Sequence, residues 1–318
     1  MQPGPFFSIL PDKTKTMPAA LQLDQVKNVT ILGAGTMGWK IALRCAIDGF
    51  QVSLYDISEK QLDKVPAFMA RQYHSLQKNA KVGDEPFESV IGRIKPTMDP
   101  QEAADGADFM NESVLEDLDT KKKVYEQFAP LWPEHTLLTT NTSYLLPSMF
   151  AAETGRPEQF CAFHFHDVFT AIVVDVMPHQ GTAPWIVPFL MDMGKKLNQI
   201  PVHVEHEVPG YLFNNMLMAW LGSAGALLTK GIATPEMIDK SWMGNIQTGI
   251  GPFGMLDHVG LDTAWYIVSA RKDEKSKRFA ALLKDYVEAG KLGVKTGEGF
   301  YKYPKPTYAQ AGFLHDQQ

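Results

Sequence analysis

The sequence predicts an α/β protein with a mostly parallel sheet, followed by a second domain made only of helices. Two observations lead to this prediction. Short β-branched runs alternate with helix-length amphipathic segments as far as about residue 204, the pattern of strands joined by crossover helices. Beyond Pro209 the helical period dominates and strand-like runs disappear, so we expect a domain boundary within residues 204–209.

The stretch from Asn28 to Asp56 is the most informative part of the chain, with the sequence NVTILGAGTMGWKIALRCAIDGFQVSLYD. Residues 29–32 are a β-branched run, which favours a strand. A glycine turn follows and leads into a helix that ends near Asp48, and residues 51–55 predict a second strand. Strand, glycine turn, helix and strand within about 30 residues form the context of a Rossmann-type dinucleotide-binding fingerprint.

The glycines of this turn have separate physical tasks in such a fingerprint. Gly33 permits the tight turn, Gly35 lets the backbone approach a pyrophosphate, and Gly38 allows the helix to pack closely on the strand. The first turn of the helix then presents free N–H groups to phosphate. The alternative is a glycine turn that joins strand to helix and binds nothing. We expect the cofactor to contact the whole turn, which comprises Gly33, Ala34, Gly35, Thr36, Met37 and Gly38.

Asp56 follows the fingerprint by roughly 20 residues, where a carboxylate accepts hydrogen bonds from the hydroxyls of an adenosine ribose. A 2′-phosphate would be repelled at this position, so the sequence predicts NAD rather than NADP as the cofactor. By the general rule for such sheets, the cofactor would lie across the carboxyl ends of the parallel strands.

Further helices and strands alternate after Asp56. Ser58 can cap a helix whose apolar pattern continues through Met69, and residues 58–94 predict a helical hairpin inserted between the second and third strands. This alternation predicts helices on both faces of the sheet. The strand-like segments are residues 94–98, 107–111, 136–140, 161–165, 172–176 and 200–204, and the helical ones are residues 101–106, 121–128 and 185–197.

The second predicted domain is helical and spans residues 207–318, after an NAD-binding domain at residues 27–206 and a tail at residues 1–26. Its first helix, residues 211–229, has no charged side chain, but polar and small residues interrupt the run and favour a buried helix over a membrane span. Thr234 followed by Pro235 predicts another helix start. Residues 263–270 and 279–288 predict two further helices.

The apolar side chains of residues 211–229 cover more of the helix than one intramolecular face needs. A domain of about 110 residues can hardly enclose such a helix alone, since small domains bury a limited share of their surface. We therefore expect a homodimer in which second domains pack together, with a mass near 71 kDa, twice 35.4 kDa.

Composition and charge narrow the class of protein and its partners. The 318 residues are 45% hydrophobic and 21% charged, ordinary values for a soluble globular protein. A net charge of −6 and the absence of a long basic stripe argue against nucleic acid as a partner. Cys45 and Cys161 are the only cysteines, which suggests a reducing compartment, and we expect the cytoplasm. The first residues lack an apolar run of signal-peptide length, so we expect a surface tail and no membrane partner.

Polar side chains follow two strands near the middle of the chain, where the reactive ring of a bound nicotinamide is expected. Asn141, Thr142 and Ser143 end one strand, and His164 lies within the next. A histidine of near-neutral pKa can take the proton of a secondary alcohol while hydride passes to nicotinamide. Asp175, in an otherwise apolar strand, would orient the imidazole, since an unpaired acid there is costly.

Other interpretations of these residues stay open. His164 is equally suited to a structural role, and Asp175 to a plain charge on an edge strand. His164 and His166 could place two imidazoles on one strand face as metal ligands, but no third ligand is evident at short spacing, so no metal is predicted. A serine hydrolase has no support, because no G-x-S-x-G elbow occurs.

Several motifs, in order, resemble those of the 3-hydroxyacyl-CoA dehydrogenase family, from Lys27 to Tyr303. The matching sequences are GAGTMG with Asp56, NES and VLEDLDTKK, TTNTS, FHF, VPGYLFNN, GIGPFGMLDHVGLDT and KLGVKTGEGFYKY. The resemblance implies that His164 is the base and that Asp175 is its carboxylate partner, at a position where the family has glutamate. It also implies that Ser143 and Asn214 position the oxygen and the thioester of the substrate.

The resemblance further implies that residues 58–94 hold the CoA tail and that four more side chains contact the cofactor. Some of the implied residues have structural alternatives: Lys121 belongs to a lysine run that solvent alone would explain, Asn214 can bridge within its own helix, and Ser143 can bond the turn after its strand. These four implied cofactor contacts are Glu116, Lys121, Asn141 and Lys295, and Ser143 is expected to contact the cofactor as well.

The chain departs from the family beside the histidine. The family usually continues with Phe-Phe-Asn-Pro, whereas this chain has Phe165, His166, Asp167 and Val168, and the segment before Asp175 is one residue shorter. Asp167 would bring a negative charge beside the nicotinamide. The run at residues 176–179, Val-Met-Pro-His, also resembles relatives that oxidise small non-thioester hydroxy acids, such as gulonate 3-dehydrogenases.

We therefore expect an NAD-dependent dehydrogenase that oxidises a short L-3-hydroxyacyl-CoA, such as 3-hydroxybutyryl-CoA, or runs the reverse reduction. The alternatives are a dehydrogenase of a small non-thioester hydroxy acid and a catalytically silent NAD-binding protein. Retention of the histidine and its carboxylate partner argues against the silent protein, whereas Asp167 leaves room for it.

Overall fold

The computed structural model describes residues 20–315, so most of the tail predicted at residues 1–26 lies outside the described part of the chain. The contacts divide the chain into two compact units, one ending at Tyr211 and the other beginning at Leu212. The first unit is built on a β-sheet and the second on helices, which confirms the predicted fold class.

The first unit opens with the strand, turn and helix that the sequence predicts. β1 (Asn28–Leu32) runs into the glycine turn, α1 (Gly38–Ile47) follows, and β2 (Gln51–Tyr55) lies parallel to β1. Ser58 caps a helical insertion by accepting a hydrogen bond from the backbone N–H of Gln61. The insertion consists of α2 (Glu59–Leu62), α3 (Val65–Lys78) and α4 (Phe87–Ile91), and it leads into β3 (Ile94–Thr97).

The rest of the first unit continues to alternate helices and strands. Its elements, in chain order, are α5 (Pro100–Ala104), β4 (Phe109–Glu112), α6 (Leu118–Phe128), β5 (Leu137–Thr140), β6 (Phe160–Phe165), β7 (Val173–Met177), α7 (Ile186–Lys196) and β8 (Ile200–His203). The strands β4, β5 and β6 are buried along their whole length. Such burial is expected of central strands that are covered on both faces.

The eight strands form one sheet in the order β3-β2-β1-β4-β5-β6-β7-β8. All neighbouring strands are parallel except β6 and β7, which are antiparallel. The register of this antiparallel pair places His164 directly opposite Asp175. The fold therefore brings together two candidate residues that lie 11 positions apart in the chain.

Side chains of β1 show how the sheet is covered on both faces. Ile31 packs in an apolar cluster with Ile41 of α1, whereas the next residue, Leu32, packs in a second cluster with Phe128 of α6. Successive residues of a strand point to opposite faces, so these two clusters form the two layers of the core. The buried sheet between them fixes the carboxyl ends of β1, β4 and β5, where the polar candidate residues follow.

The second unit contains the helices α8 (Tyr211–Thr229), α9 (Pro235–Ile246), α10 (Pro252–Val259), α11 (Leu261–Ser269) and α12 (Glu274–Glu288). Only Tyr211, the first residue of α8, belongs to the first unit. Thr234 caps α9 by accepting from the backbone N–H of Met237, and Pro235 takes the first helical position, as the sequence predicts. The buried carboxylate of Asp239 accepts from the backbone N–H groups of Phe253 and Gly254 at the start of α10.

Several helix bounds differ from the sequence predictions, for example α12, which begins at Glu274 where residue 279 is expected. Two of the differences have a clear physical cause. The helix expected to run from Ser58 through Met69 is broken, because α2 ends at Leu62 and α3 begins at Val65, with Pro66 in its first turn. A proline is tolerated there because it lacks only an N–H that has no partner in a first turn. The helix α10 is not predicted at all, because glycine and proline dominate its start and its cap comes from a different helix.

Exposed side chains form a stripe along α8. Met218, Leu221 and Ala224 are buried on one face. On the other face, exposed residues recur every three or four positions and are apolar apart from one serine: Leu212, Met216, Ala219, Ser223 and Leu227. Phe213 and the polar Asn215 are exposed beside this stripe. Within one chain, therefore, α8 has one covered face and one exposed apolar face.

Within residues 20–315, none of the helices combines the length and the apolar character that crossing a membrane requires.

Candidate active site

The glycine turn has the geometry that the sequence analysis expects. Gly33 has a φ of +95°, a conformation that suits glycine. A β-carbon on Gly38 would lie 1.7 Å from the carbonyl oxygen of Gly33, so only glycine lets α1 begin so close to β1. A β-carbon on Gly35 would meet nothing within 4 Å, which leaves open space above the turn. The turn therefore offers a bare backbone at a helix N-terminus, as a pyrophosphate requires.

Asp56 is tied to this turn. Its Oδ2 accepts from the backbone N–H of Ala34 at 2.8 Å, and its Oδ1 accepts from the backbone N–H of Ser58 at 2.9 Å. The side chain of Gln61 donates to the carbonyl oxygen of Ala34 at 2.8 Å. The carboxylate is thus fixed at the end of β2 beside the glycine turn, and the two features together fit the adenosine half of NAD.

His164 and Asp175 form a buried pair on β6 and β7. The Nδ1 of His164 lies 3.1 Å from Oδ2 of Asp175, and the two residues are 3% and 1% exposed. An ionised carboxylate can only accept hydrogen bonds, so the Nδ1 of His164 is the nitrogen that carries the proton. The Nε2 of the neutral ring then has its lone pair free to accept a proton.

The pKa values of this pair have opposing causes. Burial lowers the pKa of the His164 imidazole below its usual value, although the hydrogen bond to Asp175 acts in the opposite direction. Burial acts to raise the pKa of Asp175, but hydrogen bonds from His164 and His166 outweigh it, so this pKa lies below its usual value of 3.8. At neutral pH the pair is therefore a neutral imidazole beside a carboxylate.

Ser143 lies on the other side of the His164 ring. Its Oγ is 3.2 Å from the Nε2 of His164, and the hydroxyl donates to the lone pair on that nitrogen. The turn that holds Ser143 is bound by one oxygen of Glu116, which accepts from the Thr142 hydroxyl at 2.6 Å and from the backbone N–H of Ser143 at 2.9 Å. The order Ser143, His164, Asp175 thus forms one hydrogen-bonded chain.

Three of the predicted cofactor contacts surround this chain. Lys121 is 1% exposed, and its Nζ lies 2.6 Å from the buried carboxylate of Glu112 and 3.4 Å from Glu116. Burial acts to raise the pKa of Glu116, but Lys121 and the hydrogen bonds of the Ser143 turn keep it below its usual value. The Oδ1 of Asn141 accepts from the backbone N–H of Phe165 at 2.8 Å. The structure gives Glu116, Lys121 and Asn141 supporting contacts within the first unit.

Two predicted site residues lie in the second unit. Asn214 is half-buried on α8. The Nζ of Lys295 lies 2.6 Å from both carboxylate oxygens of Asp262, and both side chains are well exposed. Their expected roles at the substrate and the cofactor stay predictions.

Tyr211 is a residue near His164 that the sequence analysis does not single out. Its ring stacks on the His164 ring with centroids 4.4 Å apart and planes 6° apart. Its hydroxyl donates to the carbonyl oxygen of Thr142 at 2.8 Å. The sequence signal is the tyrosine directly after Pro209-Gly210 in the VPGYLFNN motif, but nothing local indicates that it reaches a strand.

Asp167 does not present an isolated charge. It forms an ion pair with Lys40 of α1 and accepts from the backbone N–H groups of Phe169 and Thr170. Burial acts to raise the pKa of Asp167, but Lys40 and these N–H groups outweigh it, so the carboxyl is ionised and paired. Lys40 lies 127 residues away in the chain, which is why the sequence gives no sign of this pairing.

The sheet brings a third side chain of metal-ligating type close to His164 and His166, although none occurs at short spacing in the sequence. One donor atom each from His164, His166 and Asp175 lie within 4.8 Å of one another, a group of the size that could hold a metal ion. The third ligand comes from the neighbouring strand β7, so no spacing within β6 reveals it. The hydrogen bonds among the three side chains already satisfy these atoms without an ion.

Three features of the site define a class of protein. The first is a glycine turn fitted to a pyrophosphate, the second is an acidic residue at the end of the second strand, and the third is a buried imidazole with its carboxylate near the sheet's carboxyl edge. They are the parts of an NAD-dependent dehydrogenase built on a doubly wound sheet.

Comparison with known proteins identifies the family. Residues 28–208 match the family description "3-hydroxyacyl-CoA dehydrogenase, NAD binding domain", and residues 210–303 match "3-hydroxyacyl-CoA dehydrogenase, C-terminal domain". The chain belongs to the 3-hydroxyacyl-CoA dehydrogenase family. It is an NAD-dependent oxidoreductase, and NAD is its cofactor.

Three proteins illustrate what this chain is similar to. A probable 3-hydroxybutyryl-CoA dehydrogenase of Deinococcus radiodurans is 32% identical over 277 residues, 86% of this chain and 99% of that protein. The structure of a diketoreductase, described as catalysing reactions of dicarbonyl compounds, aligns with a TM-score of 0.83 at 36% identity over 87% of this chain and 99% of its own. The crystal structure of (S)-3-hydroxybutyryl-CoA dehydrogenase from Ralstonia eutropha aligns with a TM-score of 0.78 at 31% identity over 88% of this chain and 100% of its own.

Proposed function

We propose that this protein oxidises a short L-3-hydroxyacyl-CoA, such as 3-hydroxybutyryl-CoA, to the 3-oxoacyl-CoA with NAD, or runs the reverse reduction. The hydrogen-bonded chain of Ser143, His164 and Asp175 is the observation that supports this most directly. It provides a proton acceptor with a fixed tautomer in a buried site. The similarity to 3-hydroxybutyryl-CoA dehydrogenases supports the choice of substrate.

The proposed reaction uses each member of this chain for a separate task. Ser143 and the Nε2 of His164 bind the substrate hydroxyl from two sides, and Nε2 takes its proton. Asp175 accepts from Nδ1–H and stabilises the imidazolium that forms, while keeping its own charge. NAD supplies the hydride acceptor. Because burial lowers the pKa of His164, the imidazole is unprotonated and ready to accept when the alcohol binds.

The helical insertion supports a CoA thioester as the substrate. Lys64, at the N-cap position of α3, and Phe68 and Arg71 within α3 are exposed and recur at positions i, i+4 and i+7 on one face. Two cations beside an aromatic ring suit the phosphates and the adenine of CoA, since lysine and arginine bind phosphate and rings stack on bases. We propose that this face of α3 binds the CoA tail.

A small non-thioester substrate is the second candidate, and the diketoreductase similarity favours it. The ion pair between Lys40 and Asp167 bears on this choice. A paired Asp167 does not repel a negatively charged substrate as an unpaired carboxylate would, because its charge is offset nearby. Free carboxylic acids therefore belong in any substrate panel.

We further propose that the protein is a homodimer through its second unit. The exposed apolar stripe on α8, with Met216 64% and Leu227 42% exposed, supports this. Exposed apolar patches of this kind mark protein–protein contacts in soluble proteins. We also propose a cytoplasmic location, which two buried, unpaired cysteines, Cys45 and Cys161, support.

A substrate panel tests the proposed reaction. Steady-state rates with NAD would be measured on L-3-hydroxybutyryl-CoA, longer L-3-hydroxyacyl-CoA thioesters, free L-3-hydroxybutyrate and L-gulonate. We expect kcat/KM to be highest for the short thioester. His164→Gln should lower kcat by roughly 10² to 10⁴, the usual contribution of a general base, with NADH binding little changed.

The same panel tests the CoA face of α3. The double variant Lys64→Glu/Arg71→Glu should raise KM for thioesters by roughly tenfold and leave the free acids unaffected, because only CoA carries the phosphates that these cations would bind. Lys195→Glu on α7, a lysine whose side chain is 65% exposed, is the matched control and should change neither. A higher kcat/KM for a free acid would select the second candidate, and no turnover on any member would select the silent protein.

A further inference from the structure

One carboxylate oxygen of Asp175 is shared by two imidazoles. Its Oδ2 lies 3.1 Å from the Nδ1 of His164 and 2.8 Å from the Nε2 of His166. The side chains of all three residues are at most 9% exposed. The contact with His166 is the shorter of the two, and the proposed reaction gives that residue no part.

The sheet explains how the second imidazole reaches this oxygen. His164 lies directly opposite Asp175 across the antiparallel pair. The backbone N–H of His166 donates to the carbonyl oxygen of Val173, so the ladder continues for two residues beyond His164. Residues two apart on a strand share a face, and a diagonal neighbour across an antiparallel pair lies within reach of a long side chain. His166 therefore reaches Asp175 from the diagonal position, two residues further along the chain than His164.

We propose that His166 is a positioning residue, which donates its Nε2–H to Asp175 and holds the carboxylate in the orientation that serves His164. This inference rests on the proposed function, in which His164 is the base. It assigns a task to one of the departures from the family, which has phenylalanine where this chain has His166.

The carboxylate is the member of the site that most needs a second contact. The His164 ring is held by stacking on Tyr211 on one face and by the edge of the His166 ring, whose centroid is 4.8 Å away. The terminal torsion of an aspartate is broad, so one hydrogen bond leaves its oxygens free to rotate. A second donor on the same oxygen restricts this rotation.

Removal of the His166 imidazole should also change the pH profile. The charged groups that act on the pKa of His164 within the first unit are Asp175, His166 and Glu116, and the titratable Tyr211 stacks on its ring. The electrostatic effect of the neighbouring His166 acts to lower the pKa of His164, so removal of the His166 imidazole takes that effect away. The pKa of the base then rises, and the limb of kcat/KM that reports it moves to higher pH.

Two substitutions at His166 separate hydrogen bonding from packing. His166→Phe keeps a ring of similar size but removes the donor, whereas His166→Gln keeps an N–H donor at nearly the same reach. We expect His166→Phe to lower kcat by roughly tenfold, on the scale of one hydrogen bond to a charged group, and to move the pH limb upward. His166→Gln should restore most of the rate. KM and the affinity for NADH should change little in either variant, and thermal unfolding would confirm that both are folded.

The other possible results separate the role of His166 from the proposed function. The positioning role would be overturned if His166→Phe kept the native kcat and pH profile, or if His166→Gln lost as much kcat as His166→Phe. If His164→Gln is inactive in the same assay, the proposed function stands and only the role of His166 fails. If His164→Gln turns over like the native enzyme, the proposed function itself fails. Loss of native activity on dialysis against EDTA, with recovery on adding Zn²⁺, would instead make the three side chains metal ligands and would overturn the inference.

Discussion

Replacement of Asp175 by asparagine is the sharpest test of the buried pair. The change keeps the shape of the side chain and removes its charge. The carboxylate accepts from both imidazoles, whereas an amide can also donate, and an NH₂ facing His164 would require a lone pair on Nδ1. The ring would then carry its proton on Nε2, the nitrogen that lies 3.2 Å from the Ser143 hydroxyl, and could not accept the substrate proton.

Two losses set the size of the effect. Loss of a hydrogen bond from the imidazolium to a charged partner costs about 1.5–3 kcal/mol, which is roughly 10- to 100-fold in rate. A shift of the tautomer away from the reactive form adds a further loss, and a histidine held in the wrong tautomer by such a change loses as much as about 10⁴ in kcat. We therefore expect kcat of Asp175→Asn to fall by roughly 10² to 10⁴.

The assay measures NADH formation at saturating substrate, together with NADH affinity by fluorescence. NADH affinity should stay near native, because Asp175 is bonded to the two histidines and not to the glycine turn. Asp175→Glu is the matched control, since it restores the charge with one added methylene, and it should recover much of the rate. A kcat of Asp175→Asn within twofold of the native value would refute the argument that the carboxylate sets the tautomer of His164.

Stability supplies an independent measurement of the same contact. The pKa of Asp175 is lowered in the folded protein, so its contribution to the free energy of unfolding is present above its usual value of 3.8 and is lost as pH falls through the folded pKa. Asp175→Asn should therefore be less stable than the native protein at neutral pH, and the gap should narrow below pH 3.8. A gap that does not change with pH would show that the loss comes from packing.

Two further predictions concern the cofactor and the assembly. Asp56→Ser should narrow the preference for NAD over NADP, measured as the ratio of the two dissociation constants, because the serine no longer repels a 2′-phosphate. Equal affinity of the native protein for both cofactors would contradict the role given to Asp56. Analytical ultracentrifugation at micromolar concentration should give a mass near 71 kDa, twice 35.4 kDa. Met216→Glu should shift this mass toward the monomer, whereas Ile57→Glu, at a more exposed apolar position of the first unit, should not. A native monomer with full activity would contradict the dimer.

The sequence predicted those features whose cause is local. The glycine turn, the strand and helix around it, and the bounds of the helix at residues 211–229 all follow from residue types within a few positions of one another. The start of α9 follows in the same way from Thr234 and Pro235. The start of α10 does not, because its cap is Asp239 from another helix.

The contacts of the candidate site depend on long-range pairing instead. The sequence placed His164 and Asp175 near one sheet edge, but the register that sets them opposite each other comes from the antiparallel turn between β6 and β7. The stack of Tyr211 on His164 joins residues 47 positions apart, as 211 − 164. No periodicity or spacing predicts such contacts, because each depends on how the whole unit folds.

The departures beside His164 have a common explanation in these long-range contacts. In the sequence, Asp167 is an added charge where the family usually has asparagine, and Asp175 stands where the family has the longer glutamate. The structure gives each a new partner: Lys40 pairs with Asp167, and His166 donates to Asp175. These contacts leave both carboxylates paired beside His164, as an active NAD-dependent oxidoreductase requires. They make the substrate panel, more than the cofactor assay, the measurement that separates the remaining substrate candidates.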